Sequence, residues 1–310
     1  MGNGEKMQDR IQDYCKVGVV HFMLWKDCIK GDGDHSSLDV ILNDPYFDAV
    51  EITRINDAGI RKTVAAKLKA SRKAVAFGAQ PVCLTQKLDL NHLDESERRK
   101  AMRGVIDVIP QAYEMGASGF GVLSGKDVAP EKHIDARLRL LDSLREIAGE
   151  LKKLGDMPLN LELFDTLPYG KNCLIGSPSD AAFIACELRR DFPSFGLMVD
   201  LSHLPLQGIS PRAMWDACGQ YVTHAHMGNC VMDNPGHLMN GDEHPPFCDP
   251  SGRNGVRELS EYLRVLLDGS YLSRERRPVL SFEVCVYGEW TRDALLRQSK
   301  ETLDAAWVLV

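Results

Sequence analysis

The strongest constraint on this chain is an eightfold alternation: eight short, apolar, β-rich runs, each followed by a segment of helical period. That order marks a parallel sheet joined by crossover helices. The runs are VGVVHF (Val17 to Phe22), DAVEIT (Asp48 to Thr53), AVAFGA (Ala74 to Ala79) and GFGVL (Gly119 to Leu123), then LNLELF (Leu159 to Phe164), GLMVDL (Gly196 to Leu201), YVTHAHM (Tyr221 to Met227) and VLSFEV (Val279 to Val284). Each reads as a strand covered on both faces. A doubly wound sheet usually ends at about five or six strands and opens on a glycine-rich turn. Neither GxGxxG nor GxxxxGK[ST] occurs here. The expected fold is a single (β/α)8 TIM barrel spanning residues 1–310, a length ordinary for a barrel with added loops.

The helices between the strands carry their own end signals. Asp94 with Glu97 three positions on forms a capping-box pattern, and that helix is expected to stop near Gly116 with a kink at Pro110. Ile134, Leu138, Leu141, Leu144, Ile147 and Leu151 form one stripe, expected to lie against the barrel. Ser210 with Pro211 opens a later helix and Thr291 caps the last. One long irregular insert, Gly228 to Asn254, follows the seventh strand, and such loops often serve as lids or substrate-binding loops.

The formal net charge of −7 offers no positive field for a phosphate backbone, so nucleic acid is not an expected partner. No run reaches the roughly 18 uninterrupted apolar residues that span a bilayer, and MGNGEKMQDRIQDY lacks the apolar run of a signal peptide. The expected location is the cytoplasm. Nine cysteines without a CxxC pair read as reduced thiols, and a zinc–cysteine site is not expected.

Barrel enzymes carry their reactive groups at the C-terminal ends of the strands. Four late strands place polar side chains there: Glu162, Asp200, His226 and Glu283. Any one alone reads as a hydrogen-bonded strand-end residue. Three carboxylates at a shared mouth repel one another, and a bound cation is the simplest compensation. A site of hard oxygens and one imidazole suits one divalent ion, Mn²⁺ first, with Mg²⁺, Co²⁺ or Zn²⁺ as alternatives. His21 and Glu51, on strands one and two, line a substrate pocket or are hydrogen-bonded strand residues. Lys126 and His133 follow strand four; His133 reads either as a solvated helix-start residue or as a second base.

The same residues carry a family resemblance. The run MVDLSH, with His203 three residues after Asp200, looks like the D-x-x-H of the xylose isomerase-like barrels. That superfamily contains sugar phosphate isomerases and epimerases and also endonuclease IV. HAHMGN, from His224 to Asn229, is similar to its H-x-H-hydrophobic-x-[DN] strand, and LELFD and LSFEV resemble its two metal-binding glutamate strands. The resemblance implies that Glu162, Asp200, His226 and Glu283 are the metal ligands, that His203 contacts substrate oxygens, and that the two glutamates act as acid and base. His224 points to the same side of its strand as His226 and reads as a core or supporting residue. The implied activity is metal-dependent isomerisation or epimerisation through an enediolate formed next to a sugar carbonyl.

Two departures matter. Ketose 3-epimerases of this superfamily commonly have a second glutamate six residues after the first metal glutamate and an arginine six after the metal histidine, where this chain has Pro168 and Met232. The insert GDEHPPFCDPSGRNG, with His244 as a further substrate-contact candidate, looks more like the catalytic subunits of C-glycoside deglycosidases, lyases acting on 3-keto glycosides. That alternative implies a small partner subunit; the wider family implies a homo-oligomer. Endonuclease IV-like nucleases need more ligands than these motifs offer, and a non-catalytic sugar-binding barrel is the alternative of a different class.

Overall fold

The computed structural model describes residues 9–165, 167 and 169–310. Pro168, one of the two departures noted above, lies outside the described residues. Eight parallel strands form one sheet: β1 (Lys16–Val19), β2 (Ala49–Ile52), β3 (Ala74–Gly78), β4 (Phe120–Leu123), β5 (Leu159–Glu162), β6 (Gly196–Asp200), β7 (Val222–Met227) and β8 (Val279–Phe282). β1 pairs with β8, and from β8 each strand pairs with its sequence neighbour back to β2. The Asp48 N–H donates to the Val17 carbonyl at 2.8 Å and Val20 bridges Glu51, which closes the seam between β1 and β2. The fold is a single (β/α)8 TIM barrel.

The helices follow their end signals with two departures. The Asp94 carboxylate accepts from the Ser96 and Glu97 N–H groups at the start of Glu95–Ile106. Pro110 does not kink that helix; the chain breaks before it and restarts as Ile109–Glu114. A proline is tolerated in a first turn, where its missing N–H has no intrahelical partner. In His133–Leu154, Leu141, Leu144, Ile147 and Leu151 are buried as expected. Ile134 and Leu138 are 72% and 53% exposed, because the face against the barrel runs through Ala136 and Leu140 instead. Ser210 caps Pro211–Cys218 and Thr291 caps Arg292–Trp307.

The insert folds back over the barrel mouth. Asn254 donates to the Leu201 and Gly228 carbonyls at 3.0 Å each, and Asn229 accepts from the Cys230 and Asn254 N–H groups while donating to the Pro246 carbonyl. These two asparagines clasp the ends of the loop and bury Asp242, His244 and Phe247. Among the described residues no helix is long and apolar enough to cross a membrane.

Candidate metal centre

Four strand ends converge at the mouth. Glu162 and Asp200 end β5 and β6, His226 lies one residue before the end of β7, and Glu283 directly follows β8. Each offers one donor atom, and the four atoms lie within 4.8 Å of one another. Glu162 Oε1, Asp200 Oδ2, His226 Nδ1 and Glu283 Oε2 are all buried and without a hydrogen-bond partner. His226 Nδ1 comes within 2.7 Å of Glu283 Oε2 and 3.7 Å of Glu162 Oε1. The shorter contact lacks the alignment of a hydrogen bond.

The opposite atom of three of these side chains is held from behind. Gln80 Nε2 donates to Glu162 Oε2 at 2.7 Å, the Ser202 N–H donates to Asp200 Oδ1 at 2.7 Å, and His226 Nε2 lies 3.1 Å from Glu51 Oε1. A ring nitrogen tied to a carboxylate fixes the tautomer and leaves the other nitrogen's lone pair for an ion. Gly121 makes room for Gln80: a Cβ there would stand 2.9 Å from its amide nitrogen. The donor set, three carboxylates and one imidazole each with an unpartnered atom turned inward, fits a divalent cation.

Glu51 lines the mouth cavity, but one of its oxygens takes both His226 and His224 Nε2, the latter at 2.7 Å. Burial works against its charge, yet the two histidines hold the Glu51 carboxyl well below the usual carboxylate range. His203 Nδ1 lies 2.7 Å from the Leu163 carbonyl, and its Nε2 is 3.2 Å from Asp242 Oδ1. His244 reaches in from the insert, its Nε2 2.8 Å from Asp242 Oδ1 and 3.7 Å from Glu283 Oε1. Burial disfavours its protonation, but Glu283 and Asp242 push the His244 imidazole up to about 9.

The remaining sequence candidates sit elsewhere. The His21 ring is buried, with Nε2 2.9 Å from Ser37 Oγ, and is not among the cavity-lining residues. Lys126 Nζ donates to the Lys171 carbonyl, and His133 Nε2 lies 3.0 Å from Asp127 and 2.9 Å from the Val128 carbonyl; neither lines the cavity.

Sequence reasoning missed three residues at the mouth. Gln80 stands two residues beyond the end of β3 and opens the next helix, so the strand-end rule that found the glutamates extends to it. Asp242 is buried in the insert two residues before His244, and the D-x-H spacing in GDEH is its only sequence signal. Lys171 Nζ lies 3.3 Å from Asp242 Oδ2, and its loop is shaped by Asp165, whose Oδ2 accepts from the Lys171 N–H at 2.8 Å.

The cavity holds about 160 Å³. Glu162, His226, Glu283, Lys171 and Asp242 stand at its polar side, and Phe22, Met23, Ile29, Pro81, Leu84 and Phe164 form an apolar wall.

The family profile described as xylose isomerase-like TIM barrel matches residues 46–303. The chain belongs to this family. Among solved structures, D-psicose 3-epimerase from Clostridium cellulolyticum H10 is similar to this xylose isomerase-like barrel at 17% identity, covering 95% of this chain and 96% of its own, with a TM-score of 0.64. The 3-keto-D-glucoside 4-epimerase of E. coli is 14% identical, covers 92% and 99%, and has a TM-score of 0.63. The IOLI protein, solved with a bound zinc atom, is 14% identical, covers 94% and 98%, and has a TM-score of 0.66. A search of curated protein sequences found no match.

Proposed function

We propose that this chain is a divalent-metal-dependent sugar isomerase or epimerase, with Glu162, Asp200, His226 and Glu283 as the metal ligands. One observation carries the reading: each of these residues turns a buried, unpartnered donor atom toward the other three. The solved structures similar to this barrel include sugar epimerases, which supports the same class of substrate. A divalent ion held there supplies Lewis-acid polarisation of a carbonyl and the hydroxyl beside it.

The chain's own residues handle the proton. Glu162 and Glu283 both line the cavity, on neighbouring sides of His226, so one accepts the proton from the carbon next to the carbonyl and the other returns it. Return to the opposite face gives epimerisation; return to the next carbon gives isomerisation. Gln80 keeps Glu162 oriented by holding Oε2. We assign no proton transfer to His133, whose ring faces Asp127 and Val128. Lys171, kept protonated by Asp242 against the opposing effect of burial, is placed to hold a substrate oxygen.

Glu162→Gln and Glu283→Gln are each expected to abolish solvent-deuterium incorporation into substrate while the circular dichroism spectrum stays unchanged. Full exchange in either variant removes that glutamate from the acid–base role.

The apolar wall favours a second reading of the substrate: a keto-glycoside whose aglycone lies against Phe22, Met23 and Phe164, with bond cleavage following the same proton abstraction. Deuterium incorporation measured across free ketoses, sugar phosphates and 3-keto glycosides separates the two.

A further inference from the structure

A second cluster lies behind the cavity wall, in the segment that leaves β1. His21, Cys28 and His35 are all buried, and one donor atom from each lies within 4.8 Å of the others. The His21 and His35 rings stack at 6.0 Å between centroids, and Trp25 stacks on His21 at 5.0 Å. His35 Nε2 is buried without a hydrogen-bond partner. An orphaned polar atom of that kind costs about 1–3 kcal/mol, so its place in the fold calls for a ligand.

We propose that His21, Cys28 and His35 form a second metal site, selective for a borderline-soft divalent ion of the Zn²⁺ type and separate from the oxygen-rich centre. Two imidazoles and a thiolate match Zn²⁺, whereas Mn²⁺ and Mg²⁺ favour carboxylate and carbonyl oxygens. The Ser37 hydroxyl, already 2.9 Å from His21 Nε2, or a water fills the fourth tetrahedral position. Tetrahedral donors with zinc bonds of about 2.0–2.3 Å stand roughly 3.3–3.8 Å apart, so binding closes the cluster by no more than about 1.5 Å. The thiol proton leaves to solvent as the sulfur–metal bond forms.

The consequence for the main site is mechanical: the segment from Val20 to Ile29 presents Phe22, Met23, Lys26 and Ile29 to the cavity, and an ion on Cys28 and His35 pins that wall from behind. The site was not legible as a CxxC or HxxH motif, because its donors are seven residues apart and only the fold brings them together.

Titration of the metal-free, full-length protein with Co²⁺ alone tests the site, since a thiolate–cobalt charge-transfer band in the near ultraviolet arises only where sulfur binds. The four-residue centre has no thiol, so failure of that reading leaves this band untouched. The expected result is one equivalent of thiolate-bound Co²⁺, displaced by Zn²⁺, lost in Cys28→Ser, weakened at least about tenfold in His35→Gln, and retained in Asp200→Asn. No band in the wild-type protein, or a band that survives Cys28→Ser, overturns the proposal. If Cys28→Ser does not fold, undiminished Co²⁺ affinity in folded His35→Gln overturns it equally.

Discussion

Glu51 holds two histidines through one oxygen, and only His226 among them belongs to the four-residue centre. Removing its charge while keeping its shape separates ligand orientation from ligation. Glu51→Gln is expected to weaken metal binding by about 10–100-fold, the usual effect of losing a carboxylate behind a metal-binding histidine. Competition titration with a metal-sensitive dye measures it, and unchanged affinity would detach Glu51 from the centre. His21 gives a pH-dependent expectation. Its native value of about 3 lies below the ordinary 6.5, so between these values the unfolded chain takes up a proton that the folded chain refuses. The stability tied to His21 is therefore complete above pH 6.5 and lost progressively as pH falls toward 3. Urea unfolding of the metal-free proteins should show wild type losing about 2 kcal/mol more than His21→Gln between roughly pH 6.5 and 4.5. Equal losses in both proteins would assign the acid limb to other groups.

At the scale of elements, the helix His133–Leu154 shows how far a hydrophobic stripe can be trusted. Leu144 is fully buried and Leu138 is half exposed on the same helix. Leu144→Ala is expected to cost about 2–5 kcal/mol in urea unfolding and Leu138→Ala to stay within about 0.5 kcal/mol. Similar losses at both positions would mean that the face against the barrel is wider than described. The apolar stripe was legible because its period is 3.6, but its edge was not: which of Leu138 and Leu140 turns inward depends on the neighbouring helices. The strand-end rule was the firmer guide to position: it set Glu162, Asp200, His226 and Glu283 at one mouth, which follows from the parallel sheet wherever the helices fall. It did not reach Asp242, whose burial comes from a loop folding over the mouth, nor the true surroundings of His21 and His133. A side chain at the right end of a strand can still be claimed by a nearer partner, as Ser37 claims His21 and Asp127 claims His133.

At the scale of the whole molecule, the four-residue centre joins the C-terminal ends of β5, β6, β7 and β8, half of the closed sheet, across positions 162 to 283. An ion bound there acts only on the folded chain, because the unfolded chain has no reason to bring these side chains together. Ligand at 100 times its dissociation constant adds about 2.7 kcal/mol of stability. With about 2.1 cal/mol/K of unfolding entropy per residue, a 310-residue chain has roughly 0.65 kcal/mol/K at its midpoint. Saturating Mn²⁺ is thus expected to raise Tm by about 4 °C over chelator-treated protein. Manganese is the informative ion, since the sulfur-containing cluster behind β1 disfavours it. In Asp200→Asn the Mn²⁺ shift should shrink while a Zn²⁺ shift remains, so calorimetry with the two ions assigns each increment to its own half of the barrel. A wild-type Tm indifferent to Mn²⁺ would remove the cation from the mouth and, with it, the reason for three carboxylates to share that space.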